Sequence, residues 1–122
     1  MKTLISMWLD GLPPSVNHLY NRGMKRVYIN PEARAWKNYA AAAMTLNRNK
    51  SLTPAGSPVS IKICFITPNN RRWDIDNRLK ALLDCLAKAE IIFDDSQVYA
   101  LEMCRENVRG ADPRTFIEVR EL

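Results

Sequence analysis

The chain has 122 residues, of which 47% are hydrophobic and 25% charged, the size and make-up of one folded domain and not of a disordered, collagen-like or repeat chain. Eighteen Lys and Arg against 13 Asp and Glu give a net charge of +5, which favours a polyanionic partner. No run approaches the length of a membrane span and no basic amphipathic helix is visible, so nucleic acid is the better polyanion and no membrane partner is expected.

Taken in chain order, Thr3–Leu12 is expected as a first strand, ended by Pro13-Pro14-Ser15. Residues 17–30 are polar, basic and turn-rich, with Asn21-Arg22-Gly23 at a tight turn and Val27–Ile29 as a short returning strand. Arg22, Lys25 and Arg26 form a basic tip there, either solvated or in contact with phosphate. Asn30 caps a helix whose first residue is Pro31 and which runs to about Leu46 through four consecutive alanines. Trp36 falls on its core side, while Arg34 and Lys37 read as solvated. Residues 47–58 read as a loop. Val59–Ile66 alternates with Val59, Ile61, Ile63 and Phe65 on one face, a half-buried strand. From Asp76, taken as an N-cap, Leu79, Leu82, Leu83 and Leu86 draw one apolar stripe along a second helix ending near Ala89 and Glu90. Asp94-Asp95-Ser96 is a turn, Val98–Cys104 a strand, Arg105–Arg114 a polar turn, and Thr115–Arg120 a strand that closes the sheet. The tally predicts an α+β fold: a single two-layer domain over residues 1–122, with a mixed sheet of four to five strands packed against two helices.

The first ten residues lack the apolar core and cleavage site of a secretion signal. Cys64, Cys85 and Cys104 form no C-x-x-C pair, and each sits in an apolar pattern. Buried free thiols in a cytoplasmic protein are expected. His18 is the only histidine, which leaves no multi-histidine zinc site.

The chemistry concentrates in Arg71-Arg72-Trp73-Asp74-Ile75-Asp76-Asn77-Arg78-Leu79-Lys80. If the chain is extended at 74–76, Asp74 and Asp76 point to one side. Lys80 follows Asp76 by one helical turn, with Asn77 and Asp84 roughly on the same face. Two adjacent carboxylates repel unless a cation joins them. Magnesium is held by one or two carboxylates plus substrate phosphates, and Arg71, Arg72 and Lys80 would attract a phosphodiester. A capping residue beside a solvated charge would give the same spacing. An EF-hand does not fit, because its Gly and terminal Glu are missing.

The pattern R-R-x-D-x-D-N-x-x-K followed by D-D-x-Q-V resembles the RusA family of Holliday junction resolvases. It is carried here by Arg71-Arg72, Asp74, Asp76-Asn77, Lys80 and Asp94-Asp95-Ser96-Gln97-Val98. Pro13-Pro14-Ser15-x-Asn17-x-x-Tyr20 is similar to the family's early P-P-S-x-N segment. The resemblance implies a small homodimeric endonuclease, common in phages and prophages, that uses Mg2+ (with Mn2+ able to stand in) to nick four-way DNA junctions symmetrically. It places the metal-site carboxylates at Asp74, Asp76 and Asp95 and the catalytic lysine at Lys80, with Asp94 and Asn77 adjoining. Arg71, Arg72, Asn77, Asn17, Arg22, Lys25 and Arg26 become DNA contacts. Trp73 stands where the family is often more basic, and either stacks on a base or packs on the sheet. Two cuts in a near-symmetric junction call for two chains about a two-fold axis. For Met7, Trp8, Ile92 and Phe93 core packing is the expectation over an interface role, and Arg105, Arg109 and Arg114 are expected as surface charges. The competing readings are a non-catalytic branched-DNA-binding protein of the same fold and a small-molecule phosphohydrolase, the latter disfavoured by the lack of a Gly-rich nucleotide motif.

Overall fold

The computed structural model describes residues 2–15, 20–22, 27–50 and 56–122, with 20–22 and 27–29 as backbone. Elements run β1 (Thr3–Asp10), β2 (Tyr20–Arg22), β3 (Val27–Ile29), α1 (Pro31–Asn47), β4 (Val59–Thr67), α2 (Leu79–Lys88), β5 (Val98–Asn107) and β6 (Arg114–Glu121). β2 and β3 form a separate antiparallel ribbon. The main sheet has the order β1-β6-β4-β5. β6 pairs antiparallel with both β1 and β4, and β5 lies parallel to β4. The architecture is the expected α+β domain, a four-stranded mixed sheet with two helices.

The alternation read in β4 is real: Val59, Ile61, Ile63 and Phe65 are buried, as are Ile117 and Val119 beside them on β6. These side chains meet Ala40, Ala41 and Met44 of α1 and Leu82, Cys85 and Leu86 of α2 in one core. Each fully buried aliphatic side chain contributes about 1.5–3 kcal/mol, so this layer carries the stability. α1 starts as its sequence dictates. The Asn30 side chain accepts from the backbone N–H of Glu32 and Ala33, and Pro31 takes the first turn. Where the helices approach, Ala33 packs on Ala81.

Several expectations change. β1 stops at Asp10, because Gly11 turns the chain with a left-handed φ of 75°. Gly11 N–H donates to the Pro113 carbonyl at 2.8 Å, and its carbonyl accepts from Thr115 Oγ1 at 2.9 Å. The last strand does not close the sheet; it lies inside it, which its full alternation already suited. β5 continues to Asn107, so Arg105 lies in a strand and not in a turn. β5 is an edge strand, with Ala100 and Leu101 exposed. Trp8 and Phe93 are not core: they are 48% and 68% exposed. Trp8 lies on the uncovered sheet face against Phe116, ring centroids 5.3 Å apart. Ile92 is buried as expected.

Of the three free thiols only Cys85 is buried; Cys64 is half-buried and Cys104 exposed. Cys64 and Cys104 stand opposite each other across β4 and β5, a pairing that no spacing along the chain reveals. Burial, then the hydrogen bond with Cys104, pushes the Cys64 thiol up to about 12, and burial pushes Cys85 up to about 11. The thiolate is the reacting form. Iodoacetamide at pH 8 is therefore expected to alkylate Cys104 well before the other two, as peptide mass spectrometry would resolve; equal labelling of all three would contradict these environments.

Candidate active site

The candidate residues lie in one connection, from the end of β4 to the start of β5. Asp74 is still extended, but the chain turns at Ile75 into a short 3-10 helix, Ile75–Arg78, that leads into α2. Two sequence expectations are therefore corrected. The stretch 74–76 is not extended throughout. Asp76 is not an N-cap: it sits inside the first turn, the 3-10 segment having taken up the residues before the apolar stripe. Asp74 holds the cap position and makes no side-chain cap bond there. Both carboxylates are exposed, and neither has a side-chain hydrogen bond among the described residues.

Lys80 is the hub. Its Nζ lies 3.0 Å from Asp84 Oδ1, one turn along α2, and 3.4 Å from Asp95 Oδ2 across the connection. Asp84 also receives Lys37 Nζ from α1 at 2.9 Å, so Lys37 is not the solvated residue expected. The hydrogen bond that Lys80 donates to Asp84, then the charges of Asp84 and Asp95, raise the Lys80 pKa and keep the ammonium charged. Burial pushes the Asp84 carboxyl up, but the bonds from Lys37 and Lys80 outweigh it and hold the pKa below the usual value.

The adjacent acids part company. The Asp94 side chain accepts from Ser96 N at 3.1 Å, while Gln97 Oε1 accepts from Phe93 N and Asp94 N at 2.7 and 3.0 Å. This capping box turns Asp94 toward its own turn and lowers its pKa through the Ser96 bonds. Asp95 is the member that meets Lys80.

Trp73 packs on the sheet, its ring edge-on to Phe65 with centroids 5.5 Å apart. Over the same ring stand Arg78 at 4.6 Å and Arg105 at 4.3 Å, contacts worth about 0.5–2 kcal/mol each. A cleft of about 500 Å³ is lined by Ser15, Arg71, Arg72, Trp73, Asp74, Asn77 and Arg78. Asn77 is thus brought beside Asp74, and Arg71 and Arg72 are exposed at the rim. Asn17, Lys25 and Arg26, and the side chain of Arg22, lie outside the described residues.

The oxygen donors of Asp74, Asp76 and Asp95 suit a hard cation. Among the described residues no three His, Cys, Asp or Glu side chains converge closely enough to hold a metal ion. Two partnerless carboxylates near a basic rim fit the way magnesium is bound, by one or two carboxylates with substrate phosphates completing the shell. The sequence puts Asp84 on the face of Lys80 without a role, marks Arg105 only as a surface charge, and passes over Arg78. The Lys80–Asp84 spacing was a legible i,i+4 pair; the contact with Lys37 and the position of Arg105 had no local signal.

Asp74 in a basic cleft, with Asp76, Lys80 and Asp95 further along the same connection of a small α+β domain, is the composition of a phosphodiester-cleaving site. A family model described as endodeoxyribonuclease RusA matches residues 10–120. Crossover junction endodeoxyribonuclease RusA of Escherichia coli strain K12 is 36% identical over 87 residues, 70% of each chain. The protein of that name from Enterobacteria phage 82 is 36% identical over 88 residues, again 70% of each. That of Aquifex aeolicus strain VF5 is 28% identical over 109 residues, 88% of this chain and 85% of the relative. The chain belongs to the RusA family.

The clamp on Asp84 gives a pH dependence. A carboxyl whose folded pKa lies below its unfolded value stabilises the fold above about pH 4 and loses that contribution as the pH falls. Asp94 titrates in the same window, so Asp84→Asn should reduce, not abolish, the loss of stability between pH 7 and pH 3. Urea unfolding at the two pH values measures this, and an unchanged difference would count against the clamp.

Proposed function

We propose that this protein is a Mg2+-dependent, structure-selective endonuclease that resolves four-way DNA junctions by paired symmetric nicks in recombination and repair. The observation that carries the proposal is the Lys80–Asp95 contact. It joins the two halves of an acidic motif that lie apart in sequence, on the connection that also carries Asp74 and Asp76. The names of the relatives, crossover junction endodeoxyribonuclease, support the junction as substrate. The phage 82 relative suits a prophage setting. A DNA substrate suits work in the cytoplasm, and no helix among the described residues is long and apolar enough to cross a membrane.

Asp74 and Asp76 would hold the Mg2+ together with substrate phosphates, Asp95 joining them only by turning from Lys80, with Mn2+ as a substitute. The bound ion supplies Lewis-acid polarisation of the scissile phosphate. The remaining work belongs to the chain. Arg71, Arg72 and Asn77 hold the strand by its phosphates, as do Asn17, Arg22, Lys25 and Arg26 from the early segment. Lys80, kept charged by Asp84, donates toward the oxygen on which negative charge builds. Asp84 is a positioning residue, fixing that ammonium between two helices. Residues 1–122 act as one endonuclease domain, and a homodimer presents two such sites to the two strands of a junction.

An end-labelled synthetic four-way junction and a matched linear duplex, each with Mg2+ or EDTA, test this directly. Paired nicks are expected in the junction alone and with Mg2+ alone. Tight junction binding without cutting would instead favour the non-catalytic DNA-binding protein. Asp76→Asn should abolish cleavage while junction binding in a gel shift is retained, since removing a negative charge from a DNA-facing site does not weaken affinity. Loss of binding would make Asp76 structural. Lys80→Ala should slow cleavage about 100-fold or more and weaken binding far less; matched losses would make Lys80 a phosphate anchor only.

A further inference from the structure

The two guanidiniums on Trp73 are not needed by the acidic cluster, and their settings are unusual for cations. Arg78 Nη1 donates to the Pro13 carbonyl, and its Nε is buried with no partner among the described residues. Among the described residues Arg105 donates only to neutral oxygens: Nε to Asn107 Oδ1 at 3.0 Å and to Thr67 Oγ1 at 3.3 Å, Nη2 to the Asn69 carbonyl at 3.1 Å. None of the described ion pairs includes either residue. The fold thus holds two positive charges over one ring and, among the described residues, pairs neither with an acid. A partly buried charge without a counter-charge is unfavourable, and the charge of Arg105 acts against that of Arg78. An external anion would offset both.

The surrounding space has the matching shape. Arg78 lines the cleft of about 500 Å³ with Ser15 and Asn77. Arg105 lines a neighbouring cleft of about 460 Å³ with Asn70 and Asn107. The two clefts share Arg71, Arg72, Trp73 and Asp74, so each guanidinium lines one of two adjoining clefts that both present the first candidate metal-site carboxylate. Guanidinium forks match phosphate oxygens better than ammonium groups do.

We propose that Arg78 and Arg105, seated on Trp73, clasp a backbone phosphodiester next to the one presented at Asp74, with Trp73 as their platform and not as a base-stacking residue. The clasp rests on the endonuclease function proposed above. It would fix the register of the strand along the two clefts, since phosphate contacts position while base contacts specify.

Salt dependence separates the possibilities. Junction affinity would be measured by gel shift in EDTA over a series of KCl concentrations, for the wild type, Arg78→Gln, Arg105→Gln, the double variant and Trp73→Ala, each checked for folding by thermal unfolding. Every phosphate neutralised adds about 0.7–0.9 to the slope of log K against log salt. The double variant is expected to lose about one phosphate's share of slope, and Trp73→Ala to lose a similar share because its platform is gone. A double variant with the wild-type slope overturns the clasp. Weaker binding by Trp73→Ala at an unchanged slope would mean base stacking and overturn the platform. If Arg78→Gln does not fold, Arg105→Gln alone carries the test, again read as slope lost or kept. A wild type that binds no DNA overturns the endonuclease function and the clasp together. A wild type that binds and cuts, with slopes that coincide across the variants, overturns the clasp alone.

Discussion

The parallel pairing of β4 with β5 is the constraint from which the site follows. Parallel neighbours cannot be joined by a tight turn; the chain must cross over the sheet and return. Here residues 68–97 make that crossing, with α2 as its packed middle. Asp74 and Asp76 lie on it before the helix, Lys80 and Asp84 on the helix itself, and Asp95 after it. The apolar stripe of α2 is locked into the core by Leu82 and Leu86, both fully buried. The polar residues flanking that stripe are consequently held in place by hydrophobic packing and not by their own contacts. That division matters energetically, because exposed ion pairs contribute only about 0–1 kcal/mol each.

Within the connection, partners decide what each acid does. Asp94 is spent on its own turn, Asp84 on two lysines from two helices, and Asp95 on Lys80 alone. Asp74 and Asp76 are left without partners among the described residues. A single residue type thus appears as a cap, a clamp, a link and a pair of open ligands, with no difference in chemistry except the neighbour.

What was legible in the sequence was local. The alternation of β4, the stripe of α2 and the Asn30-Pro31 helix start each depend on residues a few positions apart, and each is found where expected. The first half of the acidic motif, Asp74 to Lys80, was legible for the same reason, while Asp95 was joined to it only by the family resemblance. Long-range facts were not. The interior place of β6 depends on β1 and β4 as neighbours on either side. Arg105 reaches Trp73 only because β5 outlasts its expected end. Asp76 before an apolar stripe has the sequence of a cap, and only the turn starting at Ile75 takes that role away. Trp8 and Phe93 looked like core because apolar residues usually are, yet one lies on the bare sheet face and the other beyond the helix.

Gly11 extends the site beyond the residues that would touch a substrate. A Cβ there would stand 3.1 Å from Trp36 Nε1 on a backbone with φ of 75°, and that same indole nitrogen donates to the Asp10 carbonyl at 2.9 Å. Two residues further on, the Pro13 carbonyl holds Arg78. Any side chain at position 11 would push on Trp36, shift the chain and loosen a guanidinium that it never meets. In a genetic screen for lost function, lesions at this glycine would therefore pass for lesions of the cleft itself, and second-site revertants would be sought first in a smaller residue at position 36.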